Sequence, residues 1–264
     1  RTATGLVVRA GRAIIADVSA PSLYLDLLAP SAVPATLRDD LRRFQWDTPV
    51  VKVNWALSGP VPWTAPQVRG AGTVHVGCDE AQLAHWSADL ENGTIPRVPF
   101  LLLGQMSTAD AGRSPAGTES LWAYTHLPRG VWDDGAAELL AKRVDEVVER
   151  FAPGFGATVL QRSVQRPGDL EGNDANLVHG AVNGGTAQLY QQLVFRPVPG
   201  LGRPETPVSG LYLGSAAAHP GGGVHGVCGW LAARAALADH GVLGVLRRKI
   251  TSTALELIYR TQHS

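Results

Sequence analysis

The amino-acid sequence predicts an α/β fold with an α+β insert. Over residues 210–238, a short apolar strand is followed by a glycine-rich turn and an alanine-rich helix, which is the local order of an α/β protein. Between about Pro49 and Gly130, β-rich segments separated by proline and glycine turns predict a largely antiparallel sheet. Residues 136–151 carry an apolar stripe at helical spacing. We therefore expect a sheet-containing insert within an α/β framework.

The first part of the chain is expected to form two strands and two helices. Residues 6–8 and 13–18 are short apolar runs that predict strands, and the second has the pattern of a buried one. Residues 22–28 can form a helix with Ser22 as its cap. Apolar side chains at i, i+4 and i+7 predict a helix over residues 34–44.

The middle of the chain is expected to contain most of the strands. Four segments have the composition of strands: VVKVNWAL, GTVHVG, PFLLLGQM and SLWAYTHL. A short helix is predicted over residues 82–91, and the strongest helical pattern covers residues 136–151. One more strand is predicted over residues 158–165. There is no internal repeat.

The C-terminal part combines a strand over residues 210–215, a glycine-rich run to Gly226, and a small-residue helix over residues 227–238. A final helix would bury Leu255 and Ile258. A strand, a glycine turn and a helix present unpaired backbone N–H groups and the positive end of the helix to a bound anion or electron-rich group. The turn therefore predicts a ligand site, and a tight structural turn is the simpler alternative.

The segment GLYLGSAAAHPGGGVHGVCGWLAARAAL resembles the C-terminal flavin-binding signature of phytoene-desaturase-like FAD-dependent oxidoreductases. The opening RAIIADVSAPSLYLDLL resembles the crossover of the same family. The resemblance implies the C-terminal part of an FAD-binding Rossmann-like domain with a substrate domain of mostly antiparallel sheet. The cofactor-binding residues that it implies are Gly214, Ser215, His219, Pro220, Gly221, Gly222, Gly223, Val224, His225 and Gly226.

The resemblance also assigns roles along this segment. Gly214 and Ser215 would lie along the ribityl and pyrophosphate part of FAD, and residues 221–224 would pass beside the isoalloxazine ring. The helix that begins near Gly226 would direct its positive end at the flavin. His219 and His225 flank the loop, where stabilising the loop is the simpler role. No catalytic acid or base is assigned.

The domain organisation implied by the resemblance has three parts. Residues 1–20 would be strands of the FAD domain, residues 21–205 a substrate-binding domain, and residues 206–264 the C-terminal FAD-binding strand, turn, helix and tail helix. The family's GxGxxG turn near its N-terminus has no counterpart before Ala13. We therefore expect weak or no FAD binding by this chain alone, and a C-terminal part that is inactive without the N-terminal half. The full protein would be a desaturase, dehydrogenase or saturase of an apolar or amphipathic organic molecule.

Composition excludes several other classes. Lys plus Arg and Asp plus Glu are both 23, so no positive surplus favours nucleic acid or an anionic membrane. No apolar run is long enough for a transmembrane helix. With only two cysteines, a reducing cytoplasm is expected rather than a disulfide framework. The chain begins at Arg1, which we interpret as a start inside a longer protein, and strand edges left uncovered would favour a homodimer.

Three alternatives compete with the oxidoreductase interpretation. Ser114 lies in a degenerate nucleophile elbow, but without the strand and helix that a hydrolase requires. The histidines are dispersed without metal-ligand spacing, so no metal site is predicted. The chain could instead be a non-catalytic substrate-binding or assembly module. Its tryptophans, among them Trp46, Trp55, Trp63, Trp86 and Trp122, would suit an apolar ligand surface or a core.

Overall fold

The computed structural model describes residues 4–77 and 79–260. The strands are β1 (Ile14–Ala16), β2 (Val50–Leu57), β3 (Thr73–Val76), β4 (Leu101–Gln105), β5 (Glu119–His126), β6 (Val159–Gln165) and β7 (Leu211–Leu213). The helices are α1 (Ala35–Arg42), α2 (Glu80–Glu91), α3 (Met106–Ala109), α4 (Asp134–Phe151), α5 (Phe155–Thr158), α6 (Pro167–Asn173), α7 (Val227–Ala238) and α8 (Gly241–Arg260). The fold is mixed α/β, as the sequence predicts.

The chain divides into two compact units. Unit 1 comprises the chain up to Asp47 together with the chain from Asn183 onward, and unit 2 comprises Thr48–Val182. Residues 21–47 and 183–205, which the sequence led us to place with the inserted domain, cluster with unit 1. The apolar side chains of these two segments explain this, because Leu37, Leu41 and Val198 share a core with Leu213.

Unit 2 is built on an antiparallel sheet. Within residues 48–77 and 79–182, five strands are ordered β3-β4-β5-β2-β6, and every neighbouring pair is antiparallel. Along β5, buried residues alternate with half-buried ones, so the sheet has one buried face. α4 packs its apolar side against that face through Leu140, Val144 and Val148, which are fully buried. Asp133 begins α4 by accepting a hydrogen bond from the backbone N–H of Ala136.

Unit 1 contains a short parallel sheet in its described residues. β1 pairs with β7 in the register Ile14↔Leu211 to Ala16↔Leu213. β7 is completely buried, whereas Ile14 and Ile15 of β1 are 53% and 46% exposed. The expectation that residues 13–18 form a buried strand is therefore wrong for β1. A run of apolar residues favours burial, but it does not show whether another element of the fold covers these side chains.

Two further local expectations fail in unit 1. Residues 6–8 form no strand, and Leu6, Val7 and Val8 are exposed. The predicted helix over residues 22–28 is a π-helical segment, Ser22–Leu27, and Ser22 does not cap it. Ser19 Oγ accepts the hydrogen bond from the Ser22 N–H instead, at 3.2 Å. Ser19 precedes the first turn, so its side chain is the one placed to reach an unpaired N–H.

The other predicted elements are confirmed within one to two residues at most ends. α1, α2, α4 and α7 lie within or near the ranges that periodicity predicts, and α7 matches residues 227–238. No helix among the described residues is both long enough and apolar enough to cross a membrane. In the same part of the chain, no three His, Cys, Asp or Glu side chains are grouped to hold a metal ion.

Candidate functional site

The glycine-rich loop between β7 and α7 starts from a firmly anchored strand end. Gly214 N–H donates to the carbonyl oxygen of Ala16 at 2.9 Å, and Ser215 Oγ donates to the carbonyl oxygen of Val18 at 2.6 Å. A Cβ at Gly214 would lie 2.9 Å from Ile15 Cγ2 and 3.4 Å from Ala232 Cβ. The strand end, β1 and α7 therefore approach one another at a distance that only glycine allows.

The middle of the loop, which we call the glycine loop (residues 219–226), packs its inner side on the chain itself. A Cβ at Gly222 would lie 1.9 Å from Asn183 Oδ1. At Gly221, φ is +119°, and a Cβ would lie 2.6 Å from Gln192 Oε1. His219 and Pro220 precede these glycines through a cis peptide bond. The two glycines are thus required by the inward contacts of the loop, while its outward face stays open.

The outer rim of the glycine loop is accessible. Gly223, Val224, His225 and Gly226 are exposed, and Val224 is completely so. His225 Nδ1 accepts a hydrogen bond of 3.0 Å from the N–H of Val227, the first residue of α7. The His225 side chain therefore supports the beginning of α7.

The glycine loop offers a run of backbone donors. Among the described residues, no protein acceptor receives a hydrogen bond from the backbone N–H groups of residues 221–226. The N-cap residue of α7 is Gly226, which has no side chain to accept a hydrogen bond from the first N–H groups of the helix. The positive end of the α7 dipole is directed to the same place, so the loop suits an anionic or electron-rich group. At the start of the loop, His219 has a buried Nδ1 that lacks a hydrogen-bond partner in the described part of the chain.

Arg196 holds the inner side of this loop, and the sequence analysis did not single it out. Its side chain is fully buried. Nε donates to the carbonyl oxygen of Ala216 at 2.8 Å, and the guanidinium also donates to the carbonyl oxygens of Asn183 at 2.6 Å, Thr186 at 3.0 Å, Gln191 at 3.4 Å and Gly185 at 3.4 Å. Burial lowers the pKa of Arg196, and the nearby Cys228 and Asp47 act in the opposite direction.

The arginine connects two segments that are distant in sequence. Residues 183–192 wrap around the guanidinium, and Gly221 lies against it, because a Cβ there would be 3.2 Å from Arg196 Cδ. Backbone carbonyl groups have no sequence signature, so no motif could have indicated this arrangement. The only available signal was an arginine between apolar residues in LVFRPV, where a charged side chain requires internal partners.

The remaining candidates from the sequence are distributed elsewhere. Trp55 and Trp63 are buried in the core of unit 2, whereas Trp86 and Trp122 are half-buried there. Ser114 lies between turns, and its Oγ pairs with Thr118 Oγ1 at 2.9 Å. The strand-to-helix turn of a nucleophile elbow is not formed at Ser114.

No family model matches the chain. Two curated relatives are both called "Pyridine nucleotide-disulfide oxidoreductase domain-containing protein 2". The rat protein (Rattus norvegicus) is 30% identical over 259 residues, which cover 89% of this chain and 44% of the relative. The mouse protein (Mus musculus) is 30% identical over 247 residues, which cover 86% and 42%. The chain is a distant homologue of these oxidoreductase-domain proteins.

A third curated relative is a dehydrogenase. The 4,4'-diapolycopen-4-al dehydrogenase of Metabacillus indicus is 29% identical over 143 residues, or 53% of this chain and 28% of that protein. Together these homologues confirm the predicted relationship to phytoene-desaturase-like oxidoreductases. The chain spans less than half of the length of each of these relatives. A solved oxidoreductase from Methanosarcina mazei aligns with 84% of this chain and 42% of its own, at 13% identity and a TM-score of 0.41.

Proposed function

We propose that the glycine loop binds the flavin end of FAD, and that this chain is the C-terminal part of an FAD-dependent oxidoreductase. The observation that carries the proposal is the run of backbone N–H groups over residues 221–226, which lack protein acceptors in the described residues and lie at the start of α7. Homology to oxidoreductases supports it independently. The substrate would be an apolar or amphipathic organic molecule.

The residues of the loop fit such a cofactor. Gly214 and Ser215 would lie along the ribityl and pyrophosphate part, and residues 221–224 beside the ring system. The unpaired N–H groups would stabilise negative charge on the cofactor, because the loop is fixed in place by inward packing on Asn183 and Arg196. Bound FAD would supply the chemistry, which is acceptance or donation of a hydride at the substrate.

The side chains of this chain would position the cofactor and shield it from water. No catalytic acid or base is assigned. His225 is occupied by the Val227 N–H, so it holds the helix start. His219 flanks the loop, and its Nδ1 is buried without a partner among the described residues, so no contact with the cofactor is assigned to this atom. Arg196 would fix the position of the loop backbone, because it is hydrogen-bonded to the carbonyl group of Ala216 and packs against Gly221.

A second candidate function is a non-catalytic substrate-binding module. The half-buried aromatic side chains on the face of the unit 2 sheet opposite α4 favour it, because such side chains can bind an apolar ligand without any cofactor. The two candidates separate experimentally, since the first requires flavin binding in unit 1 and the second does not.

An FAD titration of the purified chain tests the first candidate. Flavin fluorescence and the absorbance spectrum would be followed for the wild type, for Gly222→Ala and for Gly229→Ala. We expect weak but saturable binding by the wild type and Gly229→Ala, and none by Gly222→Ala, because an added Cβ collides with Asn183 only at Gly222. Equal binding by all three variants would overturn the assignment of the loop. Absence of binding by the wild type, even when the chain is joined to the preceding part of a homologue, would overturn the proposed function.

A further inference from the structure

The face of the unit 2 sheet that does not pack on α4 carries an ordered pair of aromatic rings. Trp122 and Tyr124 lie on this face of β5 and are half-buried. Their ring centroids are 6.0 Å apart and their planes differ by 9°. The register of β5 with β2 places Asn54 opposite Trp122 and Lys52 opposite Tyr124. These four side chains are therefore neighbours on one surface.

The position of the Trp122 ring is built into the sheet. A Cβ at Gly104 would lie 2.4 to 2.5 Å from three atoms of the indole, so the ring lies directly against the backbone of β4. The same edge of the indole is also held by a hydrogen bond, since Trp122 Nε1 donates to Met106 Sδ at 3.0 Å. A larger residue at Gly104 would displace the indole. The strand thus holds a flat aromatic surface in place, which costs little further entropy when a ligand binds.

Lys52 adds a positive charge beside these rings. Its Nζ lies 5.8 Å from the centre of the Trp122 ring. Across the described residues, no carboxylate lies within 4.0 Å of this ammonium group. Partial burial lowers the pKa of Lys52. The ring compensates the lost hydration only in part, because a cation–π contact is weaker than a charge-assisted hydrogen bond.

We propose that this surface binds a small amphipathic anion, whose apolar body lies on Trp122 and Tyr124 and whose carboxylate pairs with Lys52. A single ammonium group beside two rings matches one carboxylate on an apolar chain. A polyanion such as nucleic acid would require a row of cations. The site names a ligand class for the second candidate function, on which it rests. It does not depend on flavin binding, because all its residues belong to unit 2.

The test uses the full chain and a fluorescent probe. cis-Parinarate, a conjugated polyene carboxylate, would be titrated against the protein while energy transfer from tryptophan is recorded. Its methyl ester is the matched uncharged probe. Lys52→Met removes the proposed partner, and Lys142→Met removes an exposed lysine of α4 as the matched control.

We expect saturable binding of the carboxylate to the wild type and to Lys142→Met, and at least about tenfold weaker binding to Lys52→Met. The ester should bind the wild type as weakly as the carboxylate binds Lys52→Met. Circular dichroism and melting temperature would show that both variants are folded. As a second variant, Lys52→Arg should retain most of the affinity. Equal affinity of Lys52→Met and Lys142→Met, equal affinity of acid and ester, or no saturable binding by the wild type would each overturn the proposal, whatever the outcome of the FAD titration.

Discussion

Arg196 Nε donates a hydrogen bond of 2.8 Å to the carbonyl oxygen of Ala216, and this contact ties the approach to the glycine loop to a fully buried charge. The other guanidinium hydrogen bonds end on backbone carbonyl groups of residues 183–191 and on Gln192 Oε1, so a single side chain organises two loops. Backbone carbonyls with fixed geometry can replace the hydration of a guanidinium, which presents five donors in one plane. This arrangement makes the loop's stability depend on Arg196.

Replacing Arg196 is the first prediction. Arg196→Gln removes a buried cation and leaves several buried carbonyl groups without donors, so we expect a loss of about 3 kcal/mol or more in the free energy of unfolding. Urea denaturation measures it. Arg203→Gln is the matched control, because the Arg203 side chain is exposed and has no hydrogen-bonded partner in the described part of the chain; it should change stability by less than about 0.5 kcal/mol. Similar losses for the two variants would contradict the role given to Arg196.

The buried pair of Tyr212 and Asp239 gives the second prediction. Tyr212 Oη donates to Asp239 Oδ2 at 2.6 Å, and Arg247 pairs with the same carboxylate. Burial, followed by this hydrogen bond, raises the pKa of Tyr212. Tyr212→Phe should cost about 1 to 2 kcal/mol, because Asp239 keeps its arginine but loses one donor. Thermal unfolding of both variants measures this loss. Tyr190→Phe is the control, because it removes an exposed hydroxyl bonded to Gln45 and should cost less than about 0.5 kcal/mol.

The end of α4 predicts a pH dependence. Glu149 accepts hydrogen bonds from the N–H groups of Gly156 at 2.8 Å and Gly154 at 2.7 Å, and these lower its pKa below the ordinary 4.5. A carboxylate with a lowered folded-state pKa contributes stability above its unfolded pKa and loses it as pH falls through the folded pKa. Glu149→Gln should therefore melt at a lower temperature than the wild type at pH 7, and the difference should shrink as the pH falls below 4.5.

The control for that experiment is Glu146→Gln on the same helix. Glu146 is exposed, and its carboxylate has no hydrogen-bond or ion-pair partner in residues 4–77 and 79–260. The melting temperature of the Glu146→Gln variant should follow that of the wild type at every pH between about 7 and 3. A constant difference between wild type and Glu149→Gln across this range would show that the loss has a cause other than the charge.

The aromatic surface supplies a fourth prediction. Gly104→Ala adds a Cβ that would lie 2.4 Å from the Trp122 ring, so the indole must move or β4 must shift. We expect a loss of about 1 to 3 kcal/mol in stability, as for overpacking, and a changed tryptophan emission maximum. Gly72→Ala is the comparison, because its Cβ would meet only Ala109 Cβ at 3.5 Å, an ordinary contact. An unchanged emission spectrum in Gly104→Ala would show that the indole does not rest on β4.

The elements that periodicity predicts best are those whose burial is decided locally. α4 and β5 each bury one face. Helical spacing of the apolar residues specifies that face in α4, and alternation specifies it in β5. The glycine loop was also predictable, since strand, glycine run and small-residue helix are adjacent in sequence. Its roles in cofactor binding remain predictions.

What the sequence did not indicate depends on contacts between distant residues. Nothing in the local pattern of Ile14 and Ile15 distinguishes a covered strand from an uncovered one. Most hydrogen-bond partners of Arg196 are main-chain carbonyl groups of residues that carry no charge and form no motif. Lys52 lies in a mostly apolar strand. It becomes a candidate binding residue only through its register with Tyr124 and because no carboxylate of the described residues lies within 4.0 Å.

The thiol of Cys228 contacts the glycine loop from beneath. It donates to the carbonyl oxygens of Gly221 at 3.3 Å and Ala218 at 3.5 Å, and the residue is only 5% exposed. An alkylating reagent reaches this sulfur only after the loop has lifted from its packing, so the rate of labelling measures how often that opening occurs. Peptide mass spectrometry separates this cysteine from Cys78, the other cysteine in the sequence. The labelling rate of Cys228 therefore measures the opening of the loop at the proposed cofactor-binding residues.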